Sequence, residues 1–422
     1  MDRPTDLHLD DLAHPRFDPA VTEMMDQVVA ASEPVVFTED AVLGAAAAQT
    51  GLDDFGRDQF REPLAAILDS VERDGHLTPF GRISYFTLLT QLAKNRLQIE
   101  DLLKRHPEIH DIEIRAPIVI AGLQRTGTTH LHNLLSADPN LRYLPYWESL
   151  EPVLPADAEV HEGQPDPRMA LCEAALGFQH QVMPHFNRMH EMTVDHAHEE
   201  IQLLAIDFST MFMESMITLP AYRDWYLSHD QTPHYEYMKT CLKVLSFLRG
   251  GDRWVLKSPQ HIEQIPAVRT VFPDATVVFT HRDPLSVIAS TCTMLAYSAR
   301  MHQNPVDTDG LGAYWLDRTE RMLRACVRDR ELVPAAQSMD VLFHEYMKDD
   351  MAVVAQIYEL SGQPLEADSR QAMADYLEAH PRGRFGRISY KLADFGLQAQ
   401  EVRDRTQFYV DHFGLELEKT AL

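Results

Sequence analysis

The pattern of hydrophobic and polar positions changes near residue 112. Before this point apolar residues recur at helical spacing over 60–68 and 86–103, and residues 41–48 are rich in alanine, a strong helix former. After it, short apolar runs alternate with helical patterns. We therefore predict an N-terminal helical annex, residues 1–112, that packs on an α/β domain, residues 113–422.

Three of the later apolar runs are typical of buried parallel strands, because they are short, uninterrupted and rich in β-branched or bulky residues. The three runs are residues 117–122, 254–257 and 275–280. The accompanying helical patterns are residues 129–137, 261–271 and 284–299. This alternation predicts an α/β fold with a central parallel sheet covered by helices on both faces.

The charge balance limits the classes of partner. The chain carries 38 Lys and Arg against 64 Asp and Glu, a formal net charge of -26. A surface this acidic repels nucleic acid and anionic lipid headgroups, and no run of basic residues offsets it. We therefore expect no nucleic-acid partner, and we expect any anionic ligand to depend on a few well-placed cations and backbone N–H groups.

The cysteines indicate a reducing compartment. Cys172, Cys241, Cys292 and Cys326 are far apart and form no CxxC pair, so neither a zinc knuckle nor a disulfide framework is indicated. The N-terminus is acidic and lacks the apolar region of a signal peptide, and no apolar run is long enough for a transmembrane segment. These features predict a cytoplasmic protein, and they do not indicate its oligomeric state.

The most informative segment follows the first predicted strand. Residues 122–129, GLQRTGTT, have two glycines at the spacing of the nucleoside-triphosphate loop GxxxxGK[ST], but Thr128 stands at the lysine position. Backbone N–H groups of such a turn, and of the helix after it, bind anions. The missing lysine disfavours a triphosphate, and Arg125 can supply positive charge instead. The alternative is a strand–turn–helix in which Gly and Thr are only turn and cap residues.

A second candidate anion site follows the third predicted strand. Arg282 comes directly after the strand end, where open α/β sheets bind ligands, and Ser290 lies about two helical turns further on. A guanidinium and a hydroxyl can converge there on one phosphate. The alternative is a surface arginine paired with Asp283.

A third basic segment lies near the C-terminus. Residues 382–387, RGRFGR, carry three arginines and two glycines in a very acidic chain. We interpret Arg382 and Gly383 as part of an anion-binding loop, and the alternative is a disordered basic loop.

Together these motifs resemble those of the sulfotransferase family, and the likeness is greatest to a bacterial branch that also resembles tyrosylprotein sulfotransferases. They occur in the family's order over residues 116–396. The matching features are RTGTT at 125–129 for the phosphosulfate loop, Lys257 in LKSP at 256–259 for the strand-end lysine, Arg282 with Ser290 for the 3′-phosphate site, and Arg382-Gly383-x-x-Gly386 for the C-terminal glycine loop.

The resemblance implies a P-loop-like three-layer fold and transfer of the sulfuryl group of 3′-phosphoadenosine 5′-phosphosulfate (PAPS) to an acceptor hydroxyl of a small molecule, lipid or carbohydrate. The product would be adenosine 3′,5′-bisphosphate (PAP), with no metal. The implied cofactor ligands are Arg125, Thr126, Gly127, Thr128, Thr129, Arg282, Ser290, Arg382 and Gly383.

Sulfuryl transfer needs charge stabilisation at the leaving oxygen, for which Arg125 and Lys257 are the candidates, and a general base for the acceptor hydroxyl. Glu148 is the first candidate base, because it stands at about the place where tyrosylprotein-type members carry a glutamate. His261 is the second. Pro259 occupies the position at which the familiar cytosolic members place a histidine.

The run His196-Ala197-His198-Glu199-Glu200 supplies a third possibility. We expect it to open a helix, with His198 and Glu199 lining the acceptor site. A metal site is not predicted there, because ligands two residues apart do not share a helical face and HExxH is absent.

The segment 152–250 is rich in Met, Phe and Tyr. We interpret it as a helical insertion that lines the site for a small-molecule alcohol or phenol, although such side chains can equally be ordinary core.

Two other functions remain open. A small-molecule P-loop kinase is opposed by Thr128 but finds some support in Asp283 as a magnesium ligand, and a non-catalytic nucleotide-binding protein of the same fold is opposed by Arg125 and Lys257.

Overall fold

The computed structural model describes residues 5–155 and 163–418. After the short strand β1 (Leu7–His8), the first part of the chain is helical. Its helices are α1 (Pro19–Ala31), α2 (Glu39–Thr50), α3 (Arg61–Asp74) and α4 (Pro79–Arg105).

Local sequence explains where three of these helices begin. The side chains of Asp18, Thr38 and Thr78 each accept a hydrogen bond from a backbone N–H of the first turn, and proline occupies an early position in α1 and α4. α4 then packs closely on the later chain, because a Cβ at Gly81 would lie 2.1 Å from the carbonyl oxygen of His302. Glycine is therefore required at this crossing.

A four-stranded parallel sheet forms the centre of the molecule, in the order β5-β2-β6-β7. Two small two-stranded sheets pair β1 with β8 and β3 with β4. The strands after β1 are β2 (Ile118–Ala121), β3 (Leu144–Pro145), β4 (Ala197–His198), β5 (Val255–Ser258), β6 (Thr276–His281), β7 (Ser338–Leu342) and β8 (Ile388–Ser389).

The remaining helices cover the sheet and build the segment between β2 and β5. They are α5 (Thr128–Ser136), α6 (Tyr146–Leu150), α7 (Pro167–Val182), α8 (Ile201–Ala205), α9 (Phe212–Met216), α10 (Pro220–Ser228), α11 (Thr232–Arg249), α12 (Ile265–Val271), α13 (Pro284–Ala299), α14 (Thr308–Asp329), α15 (Phe343–Tyr346), α16 (Asp350–Ser361), α17 (Ala367–Ala379) and α18 (Ala399–Phe413). Short 3₁₀ turns occupy Asp58–Phe60, Pro107–Asp111, Phe186–Arg188, Pro259–Ile262, Arg330–Leu332, Ala335–Gln337 and Leu392–Phe395.

The sheet is the middle of three layers. Along β2, Ile118 and Ile120 face a cluster formed with α5, α16 and α17, whereas Val119 and Ala121 face the larger cluster formed with α11 to α14. This alternation follows from the pleat of a strand, and burial on both faces explains the continuous apolar run in the sequence. The larger cluster also contains Leu92 of α4. The division of the chain into an annex and an α/β domain stays a prediction.

Several local expectations need correction. The sequence analysis missed β7, because only Ser338 and Val341 of its residues are fully buried and Asp340 is exposed at the edge of the sheet. Residues 196–200 do not open a helix at once, since β4 comes first and α8 begins only after Glu200. Residues 303–312 contain Pro, Asp and Gly, a composition that predicts a surface loop, but α14 begins within them at residue 308. The composition of residues 155–168 predicts a second surface loop, which lies partly outside the described residues because these omit 156–162.

A buried ionic cluster joins α9, α14 and the turn after β5. Arg318 is fully buried and donates to Glu214 Oε1 at 2.8 Å and to both carboxylate oxygens of Glu263 at 2.5 and 2.6 Å. Tyr314 donates to the other oxygen of Glu214 at 2.6 Å. Burial raises the pKa of Glu214 while Arg318 opposes that shift. The guanidinium thus compensates two carboxylates that could not otherwise stay buried.

Candidate active site

The carboxyl ends of β2 and β6 border the candidate site. β2 is the first of the four central strands along the chain, β5 is the second and lies on one side of it, and β6 is the third and lies on the other. The helices that follow β2 and β6, α5 and α13, pack on opposite faces of the sheet. Such a topological switch point is where open α/β sheets bind ligands.

The glycine loop forms the corner between β2 and α5. Gly127 has φ 90° at the N-terminus of α5, and Arg125 has φ 70°, which is uncommon for a residue with a side chain. Gly122 lies against β6, where a Cβ would come within 2.0 Å of Thr280 Oγ1. The Thr126 hydroxyl donates to Leu123 O at 2.6 Å and lies 2.7 Å from Thr280 Oγ1. The loop is therefore tied to the neighbouring strand.

Arg125 and Arg282 meet at this corner. The Nη1 of Arg282 donates to the carbonyl oxygen of Arg125 at 2.7 Å. Arg125 donates through Nε to Ser290 Oγ at 2.9 Å and through Nη1 to the carbonyl of Met189. Burial lowers the pKa of Arg125, and the positive charge of Arg282 adds to that effect. In the described structure the Ser290 hydroxyl is thus held by Arg125.

A cleft of about 650 Å³ opens beside these two arginines. The predicted cofactor ligands that line it are Arg125, Gly127, Thr128, Thr129, Arg282, Arg382 and Gly383. Thr126 and Ser290 are buried, with their hydroxyls bonded within the protein as described above.

The 382–387 segment is an ordered turn on the wall of this cleft, with positive φ at Gly383 and Gly386. Two of its three arginines are held by acidic side chains. Arg382 pairs with Asp350, and Arg384 pairs with Glu191. The basic turn is therefore joined to Glu191 on the cleft wall and to the start of α16.

Lys257, at the end of β5, lies next to the glycine loop. Only 1% of its side chain is exposed, and its ammonium pairs with Glu199 and donates to Thr129 Oγ1 at 3.4 Å. The Lys257 backbone N–H donates to Glu200 Oε2 at 2.8 Å, and the other oxygen of Glu200 binds Nε2 of His261. Glu199 thus holds the ammonium of Lys257, and Glu200 holds its backbone N–H.

His261 is enclosed by this arrangement. Its Nδ1 lies 2.8 Å from the hydroxyl of Tyr235, its Nε2 contacts Glu200, and the side chain is 1% exposed. Both ring nitrogens are therefore engaged within the protein.

A pair of histidines borders the cleft beside Lys257. His196 Nε2 and His198 Nδ1 are 2.9 Å apart, and His196 lines the cleft. Burial, assisted by the charge of Lys257, lowers the pKa of His196 to about 4. Burial also lowers the pKa of His198 well below its usual value. Both imidazoles are therefore neutral near pH 7.

A model of the sulfotransferase family matches residues 117–367, which is more than half of the chain. The chain belongs to the sulfotransferase family. The family and the α/β fold that the sequence motifs predicted are confirmed.

Solved structures of mycobacterial sulfotransferases resemble most of this chain. Sulfotransferase STF1 from Mycobacterium tuberculosis H37Rv is 31% identical, with a TM-score of 0.76 over 88% of this chain and 98% of that chain. Sulfotransferase STF9 from Mycobacterium avium is 31% identical, with a TM-score of 0.81 over 92% of this chain and all of that chain. These matches extend into the N-terminal helical region that the family model does not cover.

A curated relative is similar over a shorter stretch. It is the omega-hydroxy-beta-dihydromenaquinone-9 sulfotransferase Stf3 of Mycobacterium bovis (strain ATCC BAA-935 / AF2122/97), 25% identical over 258 residues. The alignment covers 58% of this chain and 62% of the relative, so this chain spans less than two thirds of that protein's length.

Glu148 lies beneath a neighbouring hollow. It is fully buried and accepts hydrogen bonds from Arg142 and, at 3.3 Å, from Arg249. Those two arginines line a hollow of about 560 Å³ that shares Tyr143 and Asp195 with the walls of the larger cleft. In the described structure Glu148 is thus neutralised by two guanidiniums.

Sequence reasoning did not identify Ser286, Glu191 or Glu418 as site residues. Ser286 lies one helical turn before Ser290 on α13, and this spacing was a signal available in the sequence. Glu191 and Glu418 carry no local signal, because each meets its arginine only through the fold.

Asp283, considered above as a metal ligand, is occupied otherwise. It caps α13 by accepting from Leu285 N at 3.0 Å and pairs with Arg403 of α18.

Across the residues that the structure describes, no three His, Cys, Asp or Glu side chains are grouped so that they could hold a metal ion. Among the helices of the same described ranges, none combines the length and apolarity needed to cross a bilayer.

Proposed function

We propose that this protein transfers the sulfuryl group of PAPS to the hydroxyl of a lipid or small-molecule acceptor. The observation that carries the proposal is the meeting of Arg125 and Arg282 at the switch point, with Lys257 beside the same glycine loop. Membership of the sulfotransferase family supports it, as do the names of the structurally similar proteins.

The residues present fit a ligand with two anionic ends. Arg125 and the backbone N–H groups at the start of α5 form one anion site, and Arg282 at the end of β6 forms another. Arg282 already receives a carboxylate in the structure, that of Glu418, through Nε at 2.5 Å and Nη2 at 3.0 Å. This edge of the guanidinium therefore binds a carboxylate in a bidentate manner, and a phosphate can bind in the same way.

PAPS, when bound, supplies the sulfuryl group and the phosphate leaving group. Arg125 and Lys257 stabilise the negative charge that develops on the leaving oxygen, because both cations are partly or fully removed from water beside the loop. Glu200 acts as a positioning residue, since it holds the Lys257 backbone and His261 together.

Among the candidate bases we favour Glu199. Its carboxylate contacts Lys257 and its side chain is 20% exposed, so we propose that an acceptor hydroxyl can approach it. His261 is enclosed, with both nitrogens engaged. Glu148 is fully buried between Arg142 and Arg249. We assign these two residues to supporting roles, and we propose that His198 supports the cleft wall through its contact with His196.

A hydroxylated lipid is one acceptor class that fits. The name of the Stf3 relative describes a hydroxylated menaquinone derivative as its substrate. In this chain Met189, Ala197 and Phe385 add apolar surface to the cleft that Arg125 borders. An alcohol or phenol with an apolar body is therefore the acceptor we propose.

Free, buried thiols at all four cysteines support a cytoplasmic location.

The test is transfer of label from PAPS. Purified protein is incubated with ³⁵S-labelled PAPS and an extract of hydroxylated lipids and metabolites, and sulfated products are identified by mass spectrometry. The wild type should form product, and Lys257→Met should lower the rate at least about 100-fold, because it removes a cation from the developing charge. Lys104→Met is the matched control, since Lys104 is 57% exposed on α4.

Ligand binding separates the alternatives. Thermal shift should show stabilisation by PAP and none by ATP with magnesium, because the glycine loop lacks lysine and Asp283 is paired with Arg403. Stabilisation by ATP with magnesium alone would favour a kinase. Firm PAP binding without product from any acceptor would favour a non-catalytic nucleotide-binding protein.

A further inference from the structure

The chain after α18 returns to the candidate active site. α18 ends at Gly414, which has φ 62°, and the buried side chain of Leu415 follows. Three residues later the backbone N–H of Glu418 donates to Asp283 Oδ2 at 2.8 Å. Because Asp283 also pairs with Arg403 of α18, the returning segment is joined to its own helix through the cap of α13.

The Glu418 carboxylate occupies an anion site. It accepts hydrogen bonds from Arg282 Nε at 2.5 Å and Nη2 at 3.0 Å, and from the Ser286 hydroxyl at 3.1 Å. A forked guanidinium contact with an added hydroxyl is the arrangement proteins use to bind carboxylate and phosphate groups. Ser286 is fully buried on the first turn of α13, so its hydroxyl is fixed relative to Arg282.

Ser290, the hydroxyl that the sequence analysis paired with Arg282, takes a different partner. Its Oγ accepts from Arg125 Nε at 2.9 Å. The hydroxyl that shares an anion with Arg282 in the structure is therefore that of Ser286, one helical turn earlier.

We propose that the Glu418 carboxylate occupies the Arg282 anion site, beside the hydroxyl of Ser286, until the 3′-phosphate of PAP or PAPS displaces it. This inference rests on the proposed function, which supplies the identity of the nucleotide. Phosphate and carboxylate compete for the same guanidinium edge. The apparent affinity for the nucleotide therefore equals its intrinsic affinity multiplied by the fraction of molecules in which the C-terminal segment is released. The tail thus acts as an internal competitor.

The test compares two nucleotides by isothermal titration calorimetry. PAP carries the 3′-phosphate and adenosine 5′-monophosphate (AMP) lacks it. Glu418→Gln should bind PAP about three- to tenfold more tightly than the wild type, because a partly exposed ion pair of this kind is lost as a competitor. AMP affinity should change less than about twofold. Glu416→Gln makes the same charge change at an exposed position of the same tail and should match the wild type for both nucleotides.

A second variant tests the role of Ser286. In the Glu418→Gln background the competitor is already weakened, so Ser286→Ala reports on the phosphate alone. PAP affinity should fall about tenfold relative to Glu418→Gln, with AMP affinity unchanged, because a hydrogen bond to a charged group is lost. An unchanged ratio of PAP to AMP affinity would remove Ser286 from the site.

The remaining outcomes are distinguishable. PAP affinity that is unchanged or weaker in Glu418→Gln overturns the competition, and so does a gain shared equally by AMP or by Glu416→Gln. A wild type that prefers PAP to AMP keeps the 3′-phosphate site of the proposed function even if the tail proposal fails. A wild type that does not distinguish PAP from AMP overturns both proposals.

Discussion

Replacing Glu199 by glutamine tests the assignment of the base most directly. Glutamine has the same shape and keeps a carbonyl oxygen that can accept the hydrogen bond of Lys257, which in the wild type is held as an ion pair. The change removes the negative charge of the side chain and with it the capacity to take a proton. Since Lys257 is 1% exposed and is also held through its backbone by Glu200, the lysine should stay in place.

The size of the effect follows from the role. A general base contributes about 10²- to 10⁴-fold to a rate, which corresponds to about 2.7–5.5 kcal/mol of transition-state stabilisation. We therefore expect kcat to fall by about 100-fold or more in Glu199→Gln. PAP affinity should be equal to or tighter than that of the wild type, because the competing negative charge beside Lys257 is lost.

The assay is initial-rate transfer from ³⁵S-labelled PAPS, with PAP affinity measured by calorimetry on the same preparations. Glu148→Gln is the comparison variant. Because Glu148 neutralises Arg142 and Arg249 in a buried pair, its loss should lower Tm and leave kcat within about threefold of the wild type. The reasoning is refuted if Glu199→Gln turns over at the wild-type rate, or if Glu148→Gln alone abolishes turnover with its fold intact.

Three further predictions concern stability and the loop. Arg318→Met leaves two buried carboxylates without their cation, so the free energy of unfolding measured with urea should fall by about 3–5 kcal/mol. A fall of less than about 1 kcal/mol would contradict this account of the buried ionic cluster. Burial lowers the pKa of His302 to about 4 from 6.5, so its contribution to stability is fully present above pH 6.5 and is lost as the pH falls towards 4. Between pH 6.5 and 4 the free energy of unfolding of the wild type should fall by roughly 3 kcal/mol more than that of His302→Gln, as measured by denaturation at each pH. Parallel plots of this free energy against pH would show that His302 does not titrate in that range. Gly122→Ala brings a Cβ to within 2.0 Å of Thr280 Oγ1, so the loop must move. Calorimetry should show PAP affinity reduced about tenfold with little change in secondary structure, whereas wild-type affinity would mean that the loop tolerates the shift.

Much of the fold was readable locally. A strand that is buried on both faces must be apolar throughout, so β2, β5 and β6 were found within one residue of their observed ends. β7 was missed because one of its faces is polar and its central Asp340 pairs with Arg330 at the sheet edge. Edge strands carry a mixed pattern that periodicity alone does not separate from a loop.

The motifs also located the candidate site, since the carboxyl ends of parallel strands meet at one edge of a sheet. Gly127, Arg125 and Arg282 therefore converge as their positions after the strands predicted. Lys257 joins them for the same reason, because its strand pairs with β2.

The sequence by itself determined the strands, the glycine loop, the family and the set of charged residues from which a site could be built. Only the tertiary structure decided which charge meets which. Glu199 contacts Lys257 across 58 positions, Glu148 is enclosed by two arginines, and Glu418 reaches Arg282 from 136 positions away. The physical reason is that strand and helix patterns depend on neighbouring residues, whereas the pairing of charges depends on distances that exist only after the sheet and its helices have packed.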